Sequence, residues 1–228
     1  NSFRRFEEAL LIKEPDTVPI YLLGLPPPLG ERLLGRKTVW RNPALYLELF
    51  EKGKGEEANR RVAQDIIDTY KKLDLDAIRI SCIIGQWITE PNYEFLPPNI
   101  KVKKLSEKLY EINGVIAQYS PEIYGLLIKE PLIPIRKEDA KKYLKEHINE
   151  TYIPPESVEP IRIIAKEYKG KKFILGISWG SFYNVYHPFD KYMLWLREDK
   201  ELFKLGIEFM TRRAKEFIKA QIDAGADG

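Results

Sequence analysis

The stretch Ser178 to Phe189, SWGSFYNVYHPF, gathers the residues best suited to chemistry. Trp179, Tyr183 and Tyr186 offer flat apolar faces with polar tips, and His187 adds a ring that changes charge near neutral pH. Gly180 lets the backbone approach a ligand closely. Together they suit stacking on a large conjugated ring, with Tyr183 and His187 placed to donate a hydrogen bond or move a proton. The competing reading is that these aromatics pack the rim of a core, because aromatics fill ordinary cores too. Gln86 and Trp87, which follow a second apolar run, either line the mouth of the same site or begin an excursion from it.

Other reactive side chains point to plainer roles. Cys82 is the one cysteine, which excludes an intrachain disulfide, and it reads as a small buried hydrophobe rather than a nucleophile. His147 stands in the polar run YLKEHINE and reads as solvated. With one cysteine and two histidines the usual zinc-ligand spacings are absent, so metal ligands would have to come from elsewhere. Arg32 and Arg36 read as solvated loop charges.

The composition bounds the class. The 228 residues suffice for one large domain or two small ones, and 44% are apolar, as in a soluble globular protein. The net charge of +3 is spread along the chain without a basic block, which argues against nucleic acid. Neither an uninterrupted apolar run of ~18 residues nor a secretory leader is visible, so the expectation is a cytoplasmic protein without membrane contact. Abundant Lys and Glu with little Cys, Met or His suggest a thermophile's surface.

These residues must be positioned by alternating strands and helices. Val18 to Leu23, AIRISCII and KKFILGIS read as strands buried on both faces, and a fourth is expected from about Ala226. Between them Ala58, Val62, Ile66, Tyr70 and Leu73 mark a helix with one apolar stripe, and the prolines of PPPLGERLLGRK mark a loop. Helices are also expected over RKEDAKKYLKEH, ESVEPIRIIAKEY, PFDKYMLWLRED and the long KELFKLGIEFMTRRAKEFIKAQIDAG, with Gly225 at its C-terminal cap. A β-hairpin-like excursion is expected at about 86–134, around Asn113-Gly114 and Ser120-Pro121. Such alternation implies parallel pairing, and the pattern alone fits half of an eight-stranded barrel or a doubly wound sheet.

One resemblance separates the two. Gln221-Ile222-Asp223-Ala224-Gly225-Ala226-Asp227, the segment ILGISWGSFYNVYHPFDKYMLWLRED and the opening RRFEEALLIKEPDTVPI resemble, in order, motifs of the uroporphyrinogen decarboxylase (URO-D) superfamily, which includes the cobalamin-dependent methyltransferases. The resemblance implies a (β/α)8 TIM barrel of which residues 1–228 form the N-terminal part, about four strand-helix units of one domain. It also implies that a missing barrel half or a homo-oligomer covers the open strand edges.

The arginine-rich loop of true decarboxylases is not matched after the first strand. Cys82 or Ile83 stands where their essential aspartate is expected. The resemblance therefore implies a corrinoid-dependent methyltransferase acting on a small thiol or similar acceptor, with zinc from a C-terminal part and the corrinoid on a carrier protein. The alternatives are a decarboxylase (carboxy-lyase) of tetrapyrrole biosynthesis and a non-catalytic tetrapyrrole-binding protein.

Overall fold

The computed structural model describes residues 1–80, 95–122, 124–128, 133–134, 136–178 and 189–228. Helices α1 (Ser2–Leu10), α2 (Pro27–Leu34), α3 (Pro43–Glu51) and α4 (Gly55–Leu73) precede strand β1 (Ala77–Arg79). Strands β2 (Val102–Lys104), β3 (Leu109–Ile112), β4 (Val115–Ser120) and β5 (Gly125–Ile128) follow. Then come α5 (Lys137–His147), a 3-10 turn (Pro155–Val158), α6 (Glu159–Tyr168), β6 (Phe173–Leu175), α7 (Phe189–Glu198) and α8 (Lys200–Asp223).

The expected stripe of α4 is buried through Ala58, Val62, Ile66 and Tyr70, which supplies most of that helix's stability as packing rather than propensity, whereas Leu73, its last expected member, is exposed at the helix end. The segment around the three prolines corrects the expected loop, because Pro27 opens α2. Proline fits a first helical position, where its missing N–H has no intrahelical partner to lose. Gly35, at a φ of 70°, ends this helix. Pro43 opens α3 in the same way, and the Asn42 side chain caps it by accepting the Leu45 N–H at 3.2 Å.

β1 and β6 pair in parallel, Ala77 opposite Phe173 and Arg79 opposite Leu175. Tyr21 bridges to Ala77 on the outer side of β1, also in parallel. On the far side of β6, the Asp227 N–H donates to the Ile174 carbonyl at 2.8 Å and the Gly176 N–H to the Gly228 carbonyl at 2.7 Å. Four segments thus lie side by side in chain order, and among the described residues the array is open rather than a closed barrel.

The expectation that Val18 to Leu23 is a strand buried on both faces is not met. Only the bridge at Tyr21 forms, and Val18, Ile20 and Leu23 are 78%, 58% and 60% exposed. Nothing among the described residues pairs with the outer edge of this segment, while Leu22 packs against the main core and Tyr21 meets Phe6 edge-on.

The excursion is larger than a hairpin: β2 to β5 form a four-stranded antiparallel sheet in chain order. Its β3–β4 turn carries Asn113 and Gly114, both at positive φ, as the Asn-Gly pair predicts. Tyr110, Ile112, Ala117 and Leu126 join its inner side to the main core, which also contains the buried side chains of α3, α4 and α6. A second core joins Leu144 of α5, Trp195 of α7 and Leu202, Phe209 and Met210 of α8. The rest of the stripe expected on α8 is only partly realised: Phe217 and Gln221 are buried, whereas Ile218 and Ile222 are exposed.

Candidate functional site

Side chains alternate across a strand, so each strand of the parallel array presents two faces. Ile78, Ile80 and Ile174 pack into the helix-covered core. Ala77, Phe173 and Leu175 lie on the opposite, inner face, and α1 closes its lower end by stacking Phe3 and Phe6 on Phe173 at centroid distances of 5.5 and 5.0 Å. That plug sits at the N-terminal ends of the strands. The C-terminal ends, where parallel α/β folds bind ligands, are left clear of it.

Two buried side chains shape those C-terminal ends. The Tyr70 hydroxyl donates to the Leu22 carbonyl at 3.1 Å and accepts the Arg79 N–H at 3.3 Å, standing between the first two strands where a ladder bond would otherwise form. Burial pushes the Tyr70 phenol up from its ordinary pKa, with the Arg79 N–H pulling the other way, so it acts as a neutral hydroxyl. On the other side of β6, Gln221 of α8 accepts the Ile177 N–H at 2.8 Å and donates to the Ile177 carbonyl at 2.9 Å. Gly176 makes this possible, since a Cβ there would lie 2.8 Å from the Gln221 Oε1.

A third anchor fixes the chain after α2. The fully buried Asp65 carboxylate accepts the Val39 and Trp40 N–H groups, at 2.5 and 3.1 Å, and pairs with Arg36. Arg36, which also holds Asp68 at 2.7 Å, is therefore an anchor and not the solvated charge its sequence context suggests. The same turn puts Arg41 at a φ of 62° and lays its side chain against Gly24, at the end of the first strand segment.

Trp179, Gly180, Tyr183, Tyr186, His187, Gln86, Trp87, Cys82 and Ile83 lie outside the described residues. Their runs follow directly on Ser178 and Ile80, and β1 and β6 are hydrogen-bonded neighbours, with the Ile80 N–H donating to the Leu175 carbonyl at 3.0 Å. The two groups of predicted residues therefore leave from adjacent strand ends. His147, at the end of α5, pairs with Glu150 at 2.8 Å and packs at a tilt against the Tyr143 ring.

Sequence reasoning passed over Arg79, whose signal was a charge in the middle of the apolar run AIRISCII. It shares the inner face with Ala77 by alternation and sits opposite Leu175.

Among the described residues no group of three His, Cys, Asp or Glu side chains could hold a metal, and no helix is long and apolar enough to cross a membrane. A groove of about 890 Å³ opens at the N-terminal ends of α4 and α6, but it is bordered by mixed charges such as Glu57, Glu159 and Arg162, the last two paired at 3.2 Å.

No protein-family profile matches the chain, and no curated protein matches it. Among solved structures it is similar to a methyltransferase from Methanosarcina mazei, at 14% identity and a TM-score of 0.60, over 99% of this chain and 57% of that one. The chain spans little more than half the length of that structure, and at this identity the likeness is one of fold.

Proposed function

We propose that this chain is the N-terminal part of a URO-D-like (β/α)8 barrel and belongs to a methyltransferase that works with a corrinoid and a small thiol or similar acceptor. The observation that carries this reading is a parallel array in chain order whose likeness to a methyltransferase runs over 99% of the chain. A doubly wound sheet would reverse its strand order at a switch point, and these four segments show no reversal.

In this reading Trp179, Gly180, Tyr183 and Tyr186 would hold the ring of the corrinoid, with Gln86 and Trp87 as further ligand-binding residues and His187 and Tyr183 as proton-handling groups. When bound, the corrinoid supplies a methyl group that a thiolate can accept. Tyr70 and Gln221 hold the strand ends from which these residues depart, and α1 closes the opposite end. No group of side chains among the described residues fits a zinc ion, which in this reading would be held by a C-terminal part. The exposed outer edge at Val18, Ile20 and Leu23 is where further strand-helix units, or a second copy, would pair.

The test uses the gene product as cells make it, mixed with methylcobalamin and a small thiol. Thiol-dependent loss of the methyl-cobalt absorbance is expected, and Trp179→Ala or Tyr183→Ala should weaken corrinoid binding by more than ~1 kcal/mol. Absence of corrinoid binding, or release of carbon dioxide from uroporphyrinogen instead, would overturn the reading.

A further inference from the structure

We infer that the turn Asn113-Gly114 is a site of spontaneous covalent modification, at which Asn113 loses its side-chain amide and the sheet of β2 to β5 is weakened. The chemistry is intramolecular. The Gly114 backbone nitrogen attacks the Asn113 side-chain carbonyl carbon and forms a carbon–nitrogen bond. The side-chain nitrogen leaves as ammonia, carrying the proton of the Gly114 N–H. Water then opens the cyclic imide at one carbonyl or the other. The product is aspartate, or isoaspartate with the main chain rerouted through the side chain.

Such an attack needs a free side-chain amide followed by a free, unhindered backbone nitrogen, and among the described residues only Asn113 has both. The side-chain oxygens of Asn1, Asn42, Asn59 and Asn149 accept hydrogen bonds from the Arg4 and Leu45 N–H groups, the Tyr46 hydroxyl and Arg212. Asn99 is followed by β-branched Ile100, whose N–H donates to the Pro97 carbonyl at 3.0 Å. Asn113 donates its own N–H to the Lys101 carbonyl at 2.9 Å, but nothing among the described residues holds its side-chain amide or the Gly114 N–H.

Both residues are exposed at a tip closed by the pair Ile112 and Val115. Glycine adds no side chain to shield its nitrogen, and a Cβ at Gly114 would meet nothing within 4 Å. The turn borders a groove of about 620 Å³, so water reaches the imide. The turn must open briefly for the nitrogen to reach the carbonyl carbon, and an exposed hairpin tip is where such opening is easiest.

The consequence lies in the backbone. The two-residue connection fixes the β3–β4 register with both φ values positive, 49° and 85°. Isoaspartate lengthens the main chain by a methylene, which this connection cannot take without losing register. Tyr110, Ile112 and Ala117 of the two strands belong to the main core, so damage at the tip reaches it.

The test incubates the intact protein in mildly alkaline buffer, with a parallel sample in urea, and follows each asparagine by peptide mass spectrometry. In the folded protein Asn113 should convert roughly tenfold faster than Asn99, giving aspartyl and isoaspartyl peptides that chromatography separates. The thermal midpoint of the incubated protein should fall. Asn113→Asp, which has the new charge on an ordinary backbone, should keep the wild-type midpoint when fresh. Conversion of Asn113 seen only in urea, or no faster than that of Asn99, would show that the turn protects the residue and would overturn the inference. An unchanged midpoint in protein rich in isoaspartate would overturn it equally. None of these readouts involves methyl transfer, so the result stands apart from the proposed function.

Discussion

Two helix-to-strand junctions, α4 into β1 and α8 into the segment at Ala226, build the same geometry from different residues. In the first, the Asp76 carboxylate accepts the Ile20 N–H at 3.0 Å while the Asp76 N–H returns to the Ile20 carbonyl at 2.9 Å. In the second, Asp227 accepts the Ile174 N–H at 2.9 Å and its N–H returns to the Ile174 carbonyl at 2.8 Å. Two residues before each aspartate the backbone is left-handed, at Asp74 (φ 44°) and Gly225 (φ 112°). Four residues before that, Tyr70 and Gln221 reach the C-terminal part of the preceding strand. The same spacing recurs, so the two junctions repeat one hydrogen-bond pattern within the four-segment array.

The differences show which parts of the pattern are fixed. The carboxylate is common to both, but its cation is Arg5 in the first junction, bonded to Asp76 at 2.6 Å and forked onto Asp16, and Lys169 in the second, at 2.5 Å. The turn residue is an aspartate in one and a glycine in the other. What persists is a hydrogen-bond pattern that registers neighbouring strands at their starts, which fixes where their ends, and hence the candidate site, must fall.

The largest expected effect separates the turn residues. A Cβ at Gly225 would stand 2.6 Å from the Ala165 Cβ, and its φ disfavours any side chain, so Gly225→Ala should cost about 3 kcal/mol in urea unfolding. Asp74→Gly should be neutral or stabilising by up to about 1 kcal/mol, since glycine adopts the left-handed turn freely and the Asp74–Lys172 contact at 3.1 Å is exposed on the aspartate side. A tolerated Gly225→Ala would mean that α8 and α6 are not in such close contact.

Next come the carboxylates. Asp76→Ala removes a part-buried hydrogen bond to the Ile20 N–H and one arm of the Arg5 fork, and should cost about 2–3 kcal/mol. Asp227→Ala should cost slightly less, about 2 kcal/mol, because Lys169 is half exposed and retains the Gly225 carbonyl at 3.0 Å. A neutral Asp227→Ala would break the equivalence of the two junctions.

The anchors at the strand ends are smaller. Tyr70→Phe leaves the Leu22 carbonyl and the Arg79 N–H without their bridging hydroxyl, and Gln221→Leu does the same to both backbone groups of Ile177. Each should cost about 1–2 kcal/mol by thermal unfolding. If Gln221 also positions the run that starts at Trp179, Gln221→Leu should weaken corrinoid binding more than Tyr70→Phe does.

Much of the alternation was legible in sequence because helices with a sustained apolar stripe announce themselves: α4, α5, α6 and α8 fall where periodicity puts them. The Pro-rich loop was misread because proline signals both a break and a first helical turn, and only the packing of Pro27 and Gly30 decides between them. The burial of Val18 to Leu23 was misread because composition registers a strand's preference for a partner, not the partner's presence. The repeated junction was invisible since TYKKLDLDA and AQIDAGADG share little beyond one aspartate at a fixed distance from the helix end. Arg79 was hidden inside a run taken as uniformly apolar, and Arg36 was taken as solvated because its partner Asp65 lies on another helix.

The mildest test of the comparison is pH. The Arg5 fork holds the exposed Asp16 carboxyl down to about 2. For Asp76, burial pushes the carboxyl up, but the Ile20 N–H and Arg5 together outweigh it and hold it below its ordinary value. Both folded-state values are depressed, so the unfolded chain takes up these protons first as the pH falls. The stability they contribute is complete above the unfolded value near ~3.9 and is lost as pH falls through the folded values. Urea midpoints should therefore decline from about pH 4 toward about pH 2, where Asp16 itself protonates. Arg5→Leu removes the partner of both carboxyls, lowering the neutral-pH midpoint and flattening the acid decline. An acid slope equal in wild type and Arg5→Leu would show that the first junction is held by its backbone bonds alone.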